Sequence, residues 1–480
     1  MQQPLRLLHA FGGETSYRLQ LEIISRARKM GHFSVGIYFG TSIDFFDRAR
    51  SVLKELGVST VSLNEIECKT NIPQYRWSVF PPLTQVGILA TLMVLRDRDA
   101  RIGWVWRRNH LRRVRVAESV FREFKFDAVI CNEDGISSDL ALMRAARSVG
   151  VPVVDVPFGN GTRHEIEVDL AQKNLDGRLI ACTGSHLQAL RRLAPQWLKK
   201  GRFEDAVMLP PLMILAMESI GITLRDSWII HGGLSDLLCV ENPVAMAQYR
   251  NEGIPSAKLR DTGSPYCDVL SDSLAATPSA RAAFRMPKKI DGAATKILVS
   301  WPASYHDTYA GASAFETYIE MTHKVLGYLR AIPKTQLTVS LHPACGPEAQ
   351  KLVANMGIDV SNEYIVESIP KHDVFTTYFS STIRWALASG KPVVNLDAYR
   401  VGLRTYDSAP GFMNATNFAE YKLAMDRLCC DADFFGQIAG LQSLDAPNWG
   451  TVDGLATERI FAETKRLVEM SPAARRALAR

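Results

Sequence analysis

Short runs of β-branched and aromatic residues alternate with stretches of helical period along nearly all 480 residues, and this alternation constrains the fold more than any other feature. Each apolar run is a few residues long and reads as a buried strand. The stretches between carry apolar residues three and four apart, as helices covering a sheet must. In the first half the strand-like runs are "LRLLHAF", "FSVGIYFG", "VSTVSL", "DAVICN" (127–132), "VPVVDVPF", "RLIACT", "DLLCVEN" (236–242) and "KLRDTGSP" (258–265). In the second they are "KILVSWP" (296–302), "QLTVSLHP" (336–343), "EYIVES" and "VFTTYF" (374–379). Such units pack as parallel sheets covered by helices. The expected fold class is α/β, with two Rossmann-like domains facing across a cleft. Residues 1–270 make the first. The small, polar and basic stretch 271–295 reads as a linker, and 296–480 make the second domain with a helical, basic tail.

Composition agrees with a soluble globular chain. Hydrophobic residues make up 47% and charged residues 22%, enough for a sizeable core. A net charge of +6 is modest at this length, so its distribution matters more than its sum. The eight cysteines are scattered, with no CxxC pair and no Cys/His cluster at zinc spacing. Reduced thiols, a cytoplasmic setting and no structural metal follow. The N-terminus lacks the basic start and long apolar core of a secretory signal.

An insertion at 77–115 departs from the alternation. Trp77 to Leu95 contains no charge, but Pro81-Pro82 interrupts it, so it reads as a buried or interfacial helix rather than a span. "RIGWVWRRNHLRRVR" (101–115) follows, its arginines interleaved with Trp104 and Trp106. That composition suits a segment resting on an anionic membrane, and also a solvated helix face or a nucleic-acid patch. Peripheral contact with the inner membrane is the expectation, with no nucleic-acid partner.

Parallel sheets bind ligands beyond the carboxyl ends of their strands, so the residues there are the site candidates. Gly12-Gly13 follows the first strand as a phosphate loop would. The segment lacks the full G-x-G-x-x-G spacing and a Walker lysine, so a tight turn explains it equally well. Glu133-Asp134-Gly135 ends "DAVICN", where a carboxylate can take a proton from a sugar hydroxyl, or where Asp134-Gly135 is simply a turn. His342-Pro343 ends "QLTVSLHP", fixing an imidazole at a strand mouth. In "YFSSTIRWALASGKPVV" (378–394), Ser380, Ser381 and Thr382 open a short helix. They are placed to meet a phosphate, or one serine is only the helix cap. Arg163, His164 and Glu165 stand at a further strand mouth, and His231 precedes two glycines.

Taken in order, a carboxylate pair with glycine, a His-Pro and a serine pair resemble the motifs of bacterial GT-B glycosyltransferases that use CMP-activated acidic sugars. These are the bacterial sialyltransferases and their Kdo-transferring relatives. "DLLCVENPVAMAQYRNEGIPSAKLRDTGSP" (236–265) and "SSTIRWALASGKPVVNLD" (380–397) look like the wider GT-B group that includes capsule and teichoic-acid transferases. The resemblance implies an inverting, metal-independent transferase without a cofactor, carrying a sugar to a glycan or glycolipid acceptor of the bacterial surface. It implies Asp134, with Glu133 beside it, as general base, and His342 on the donor phosphate. Ser380, Ser381 and Thr382 would cradle that phosphate beside Pro343. Gly12, Gly13, Arg163, His164, Glu165 and His231 fall to acceptor or secondary roles. No DxD-like carboxylate pair ends a strand of the second half. UDP-sugar or CDP-glycerol donors remain open within this fold. So do a reaction like that of UDP-N-acetylglucosamine 2-epimerases, in which Glu165 and Glu133 would act, and a non-catalytic scaffold.

Overall fold

The computed structural model describes every residue except 1–2, 70–97, 160, 283, 286–292, 305, 307–312, 343–344, 379, 403, 472 and 476–480. The uncharged segment 77–95, Pro343 and most of 286–295 therefore lie outside the described residues. The chain divides into two compact units. One comprises Met1–Cys239, Arg250–Arg260 and Phe461–Arg480, the other Val240–Tyr249 and Asp261–Ile460.

In the first unit β1 (Arg6–Phe11) is buried from Leu7 onward on both faces, as the central strand of a covered parallel sheet must be. It pairs in parallel with β2 (Phe33–Tyr38) on one side and β4 (Ala128–Cys131) on the other, Leu8 standing opposite both Val35 and Val129. With β3 (Ser59–Ser62), β5 (Val153–Asp155), β6 (Leu237–Val240) and β7 (Leu259–Asp261), the sheet runs β3-β2-β1-β4-β5-β6-β7. Its helices include α1 (Glu14–Lys29), α2 (Ile43–Glu55), α3 (Arg98–Phe124), α4 (Leu140–Ser148) and α5 (Arg163–Leu175). Phe11, Tyr17, Tyr38, Phe45 and Phe46 make one apolar layer. Leu8, Val129, Val153, Val116, Val120 and Phe121 belong to the larger one.

α3 is 27 residues long, with no proline and one glycine, Gly103. Its second half buries Val114, Val116, Ala117, Val120 and Phe121. Its first half buries none of its described side chains. Tertiary packing therefore holds the C-terminal turns, and the N-terminal turns continue from them by propagation.

The second unit repeats the plan. β8 (Thr295–Trp301), β9 (Thr335–Leu341), β10 (Asp359–Val360), β11 (Val374–Thr377), β12 (Val393–Leu396) and β13 (Phe412–Ala415) form a wholly parallel sheet. Its order is β10-β9-β8-β11-β12-β13. α6 (Tyr318–Ala331) and α7 (Ile383–Ala388) are among its helices. Both sheets thus carry the doubly wound order in which the third, second, first, fourth, fifth and sixth strands lie side by side.

Three local expectations differ. "EYIVES" supplies a helical turn, Ile365–Ser368, and Pro370 just beyond lacks the N–H a strand there would need. In "RLIACT" only Ile180–Ala181 is extended, pairing antiparallel with Ala206–Val207 in a separate small sheet. The helix Gly184–Leu193 starts too soon afterwards for a longer strand. The stretch read as a linker begins inside a helix, Pro265–Ala276, which buries Cys267, Val269, Leu270 and Leu274. Ser264 caps it and Pro265 supplies its first position. Among the described residues no helix is long and apolar enough to cross a membrane.

Candidate active site

In each sheet the strand order reverses beside the central strand, between β1 and β4 and between β8 and β11. Helices leave to opposite faces at such a switch point, opening a crevice past the carboxyl ends of the two strands. In the first unit that crevice holds a cavity of about 250 Å³. Gly12, Gly13 and Ser16 line it after β1, and Asn132, Glu133, Ser138 and Asp139 after β4. Phe39 and Phe158 add aromatic wall.

The Gly12-Gly13 turn is not a phosphate cradle. Ser16 Oγ accepts from the N–H groups of Gly12 (3.1 Å) and Gly13 (3.3 Å), so the donors that would face an anion are already used. Glu14 adds a negative charge to the same first turn. Gly12 is needed for space, because a Cβ there would stand 2.4 Å from the Phe39 ring. Gly13 meets nothing within 4 Å and opens onto the cavity.

Glu133 and Asp134 have separate surroundings. Glu133 lines the cavity, and burial pushes its carboxyl up to about 7. Asp155 and Asp134 add to the rise and His231 opposes it. Asp134 is fully buried. It accepts from the N–H groups of Gly233 and Ser235 at 2.9 Å each and from Lys258 Nζ at 2.6 Å. Burial alone would raise its pKa, but the Lys258 ammonium and these hydrogen bonds bring it down to about 2. The "HGG" segment therefore locks onto the "EDG" segment. A Cβ on Gly233 would lie 1.7 Å from the Asp134 carbonyl oxygen, so no other residue permits this approach. His231 Nδ1 lies 2.7 Å from Asp155 Oδ2. Burial disfavours charge on this ring, yet Asp155, with Asp134 and Glu133, raises its pKa.

Asp134, Asp155 and His231 bring ligand atoms within 4.8 Å of one another. The Lys258 ammonium already supplies a positive charge at Asp134, and His231 sits on Asp155, so the three belong to one buried ionic network. Below it, Gln20 Nε2 donates to Asn132 Oδ1 (3.0 Å) and to the Ile130 carbonyl (3.1 Å), tying α1 to the end of β4. Asp139 caps α4 through Leu142 N–H, and Arg113 of α3 holds it at 2.6 Å. Arg113 also donates to the Phe39 carbonyl, so one guanidinium grips two walls of the cavity.

The remaining candidates fall into two groups. Glu165 closes a capping box with Thr162 at the start of α5. Arg163 is paired with Asp226 at 2.8 Å, and His164 is exposed. In the second unit, His342 follows β9 and is exposed, its N–H bonded to the Trp301 carbonyl. Ser380 Oγ lies 2.7 Å from Thr382 Oγ1 and accepts from Thr382 N–H, which makes a local turn ahead of α7. Ser381 and Thr382 are half-buried. These residues stand at the carboxyl ends of β9 and β11, on either side of β8 in the sheet. Sequence reasoning missed Lys258, Asp155, Ser16 and Arg113. The one signal at hand was a lysine opening the otherwise strand-like "KLRDTGSP".

No protein-family profile matches the chain, and no curated protein does. Solved structures do match its fold. CalG4, the calicheamicin glycosyltransferase, is 12% identical over 97% of this chain and 99% of its own, with a TM-score of 0.51. The glycotransferase of kitacinnamycin is 14% identical over 93% of this chain and 97% of its own, at 0.50. A UDP-GlcNAc 2-epimerase from Neisseria meningitidis, solved with UDP-GlcNAc, is 15% identical over 96% and 100%, at 0.49. The chain thus has the two-Rossmann GT-B fold. Its structural neighbours are glycosyltransferases and epimerases.

Proposed function

We propose that this chain is an inverting glycosyltransferase that moves a sugar from a nucleotide-activated donor to a hydroxyl of a bacterial surface glycan. The observation that carries the reading is Glu133, a carboxyl pushed up to about 7 at the edge of a cavity in the crevice of a doubly wound sheet. A base with that value accepts a hydroxyl proton effectively near neutral pH. The cavity is smaller than the ~300–1,000 Å³ of sites that enclose drug-sized ligands, which suits one sugar ring of an acceptor better than a whole nucleotide sugar. Its filled Gly12 and Gly13 donors and the charge on Glu14 favour a neutral hydroxyl-bearing group over a phosphate.

In this reading Glu133 takes the proton as the acceptor oxygen bonds to the anomeric carbon. The bond from that carbon to the leaving phosphate breaks, and its electron pair departs with the phosphate. His342, Ser381 and Thr382 meet the growing phosphate charge, and donors so placed supply the largest part of many rate enhancements. Asp134 is structural. The order of the motifs favours a CMP-linked acidic sugar as donor.

Thermal unfolding with CMP, CDP, UDP and GDP tests the donor side. A ligand that binds only the native state adds about 2.7 kcal/mol at a hundredfold excess over its Kd. The expected result is a raised midpoint with CMP that His342→Ala abolishes. A shift with UDP alone replaces the acidic sugar by a UDP-sugar donor or the epimerase reaction, and one with CDP alone points to CDP-glycerol. No shift with any nucleotide overturns the reading.

A further inference from the structure

We propose that the exposed face of the first half of α3 docks this protein on an anionic bilayer surface. Arg101, Trp104, Val105, Arg108 and Arg112 follow one another at i, i+3, i+4, i+7 and i+11, so they share one side of the helix. All five are exposed, Trp104 at 46% and Val105 at 48%. Ile102, at 39%, flanks them. Residues 98–117 hold seven arginines against one acid, Asp99. Arg113 is committed to Asp139 and Arg112 lies 3.9 Å from Glu67, so Arg101 and Arg108 carry most of the charge of this face.

Charge complementarity selects an anionic partner, and the apolar residues select among anionic partners. A nucleic-acid backbone gives an exposed valine and isoleucine nothing to bury against. A bilayer interface takes both kinds of side chain: guanidinium groups meet lipid phosphates, while Trp, Val and Ile enter the boundary between headgroups and chains. Arg108 lies over the Trp104 ring, its Cζ 5.5 Å from the centroid, so cation and aromatic surface are presented together. The face is also expendable for the fold, because the buried half of α3 begins only at Val114. Docking is independent of sugar transfer, so the two proposals fail separately.

The test is sedimentation of the full-length protein with vesicles of phosphatidylcholine alone or mixed with phosphatidylglycerol. The expected result is binding to the mixed vesicles only, reversed by high salt. The double variant Arg101→Glu/Arg108→Glu should weaken it about tenfold or more, with an unchanged thermal midpoint. Trp104→Ala, which leaves the charge alone, should weaken binding less and serves if the double variant misfolds. Wild-type protein that stays in the supernatant, or variants that bind as wild type does, would overturn the proposal. So would retention on single-stranded RNA in place of the vesicles, which would assign the face to nucleic acid.

Discussion

At the switch point of the first sheet the chain places carboxylates and consumes its own turn N–H groups. At that of the second it places hydroxyls and an exposed imidazole. Strand order is the same in both, so topology fixes where each crevice lies and says nothing of what enters it. The difference comes from a few side chains. Ser16 removes the anion-binding character that a glycine turn at a helix start would otherwise have. Lys258 removes Asp134 from the reactive inventory and leaves Glu133 as the member of the pair that lines the cavity.

Three perturbations break or sharpen this contrast. Lys258→Met carries the largest effect, since it strands the Asp134 carboxylate in the core. A buried pair broken on one side costs about 3–5 kcal/mol, read as a large fall in the urea or thermal midpoint. Adding Asp134→Asn should recover part of it. An unchanged midpoint would show that the pair is not structural. The same pair predicts acid sensitivity. The native value of about 2 lies below the ordinary 3.8. The unfolded chain therefore binds more protons in that window, and stability falls as pH drops through it.

Glu133→Gln comes next, affecting rate rather than folding. Loss of a general base costs about 10²–10⁴ in turnover, with the thermal midpoint kept. In the parent protein the rate should climb as pH rises through about 7 and then level off, because the base must be deprotonated. A pH-independent rate, or full turnover in the variant, would move the base elsewhere. The smallest effects separate the neighbouring glycines. Gly12→Ala drives a Cβ into the Phe39 ring and should cost about 1–3 kcal/mol of stability. Gly13→Ala should stay within about 0.5 kcal/mol of the parent. Equal losses at both positions would mean that the turn, not the ring, demands glycine.

The alternation of periods made most of both sheets legible from the residues, because a strand or helix of ordinary length declares itself within a dozen positions. The short strands β10 and β13 left no such run. Glu133, His342 and the 380–382 hydroxyls were legible for the same reason, as residues ending recognisable strands. Which carboxylate of 133–134 faces the cavity was not. That choice depends on Lys258, 124 positions away, and on Gly233 and Ser235, 99 and 101 away. His231 and Asp155 are 76 apart. Parallel crossovers bring such partners together without leaving any local period to read. The helix at Pro265–Ala276 was a different miss: its small residues looked like a linker, and the Ser-Pro start that announces it was passed over.

α3 has a consequence beyond either proposal. Its outer turns stand in the open while Arg113, near its middle, clasps the Phe39 carbonyl and Asp139. From Val105 to Arg113 is eight residues, about 12 Å of continuous helix. A continuous helix over that span holds the exposed turns at a set distance from the cavity wall, so a label at Trp104 is a fixed-distance reporter standing outside the site.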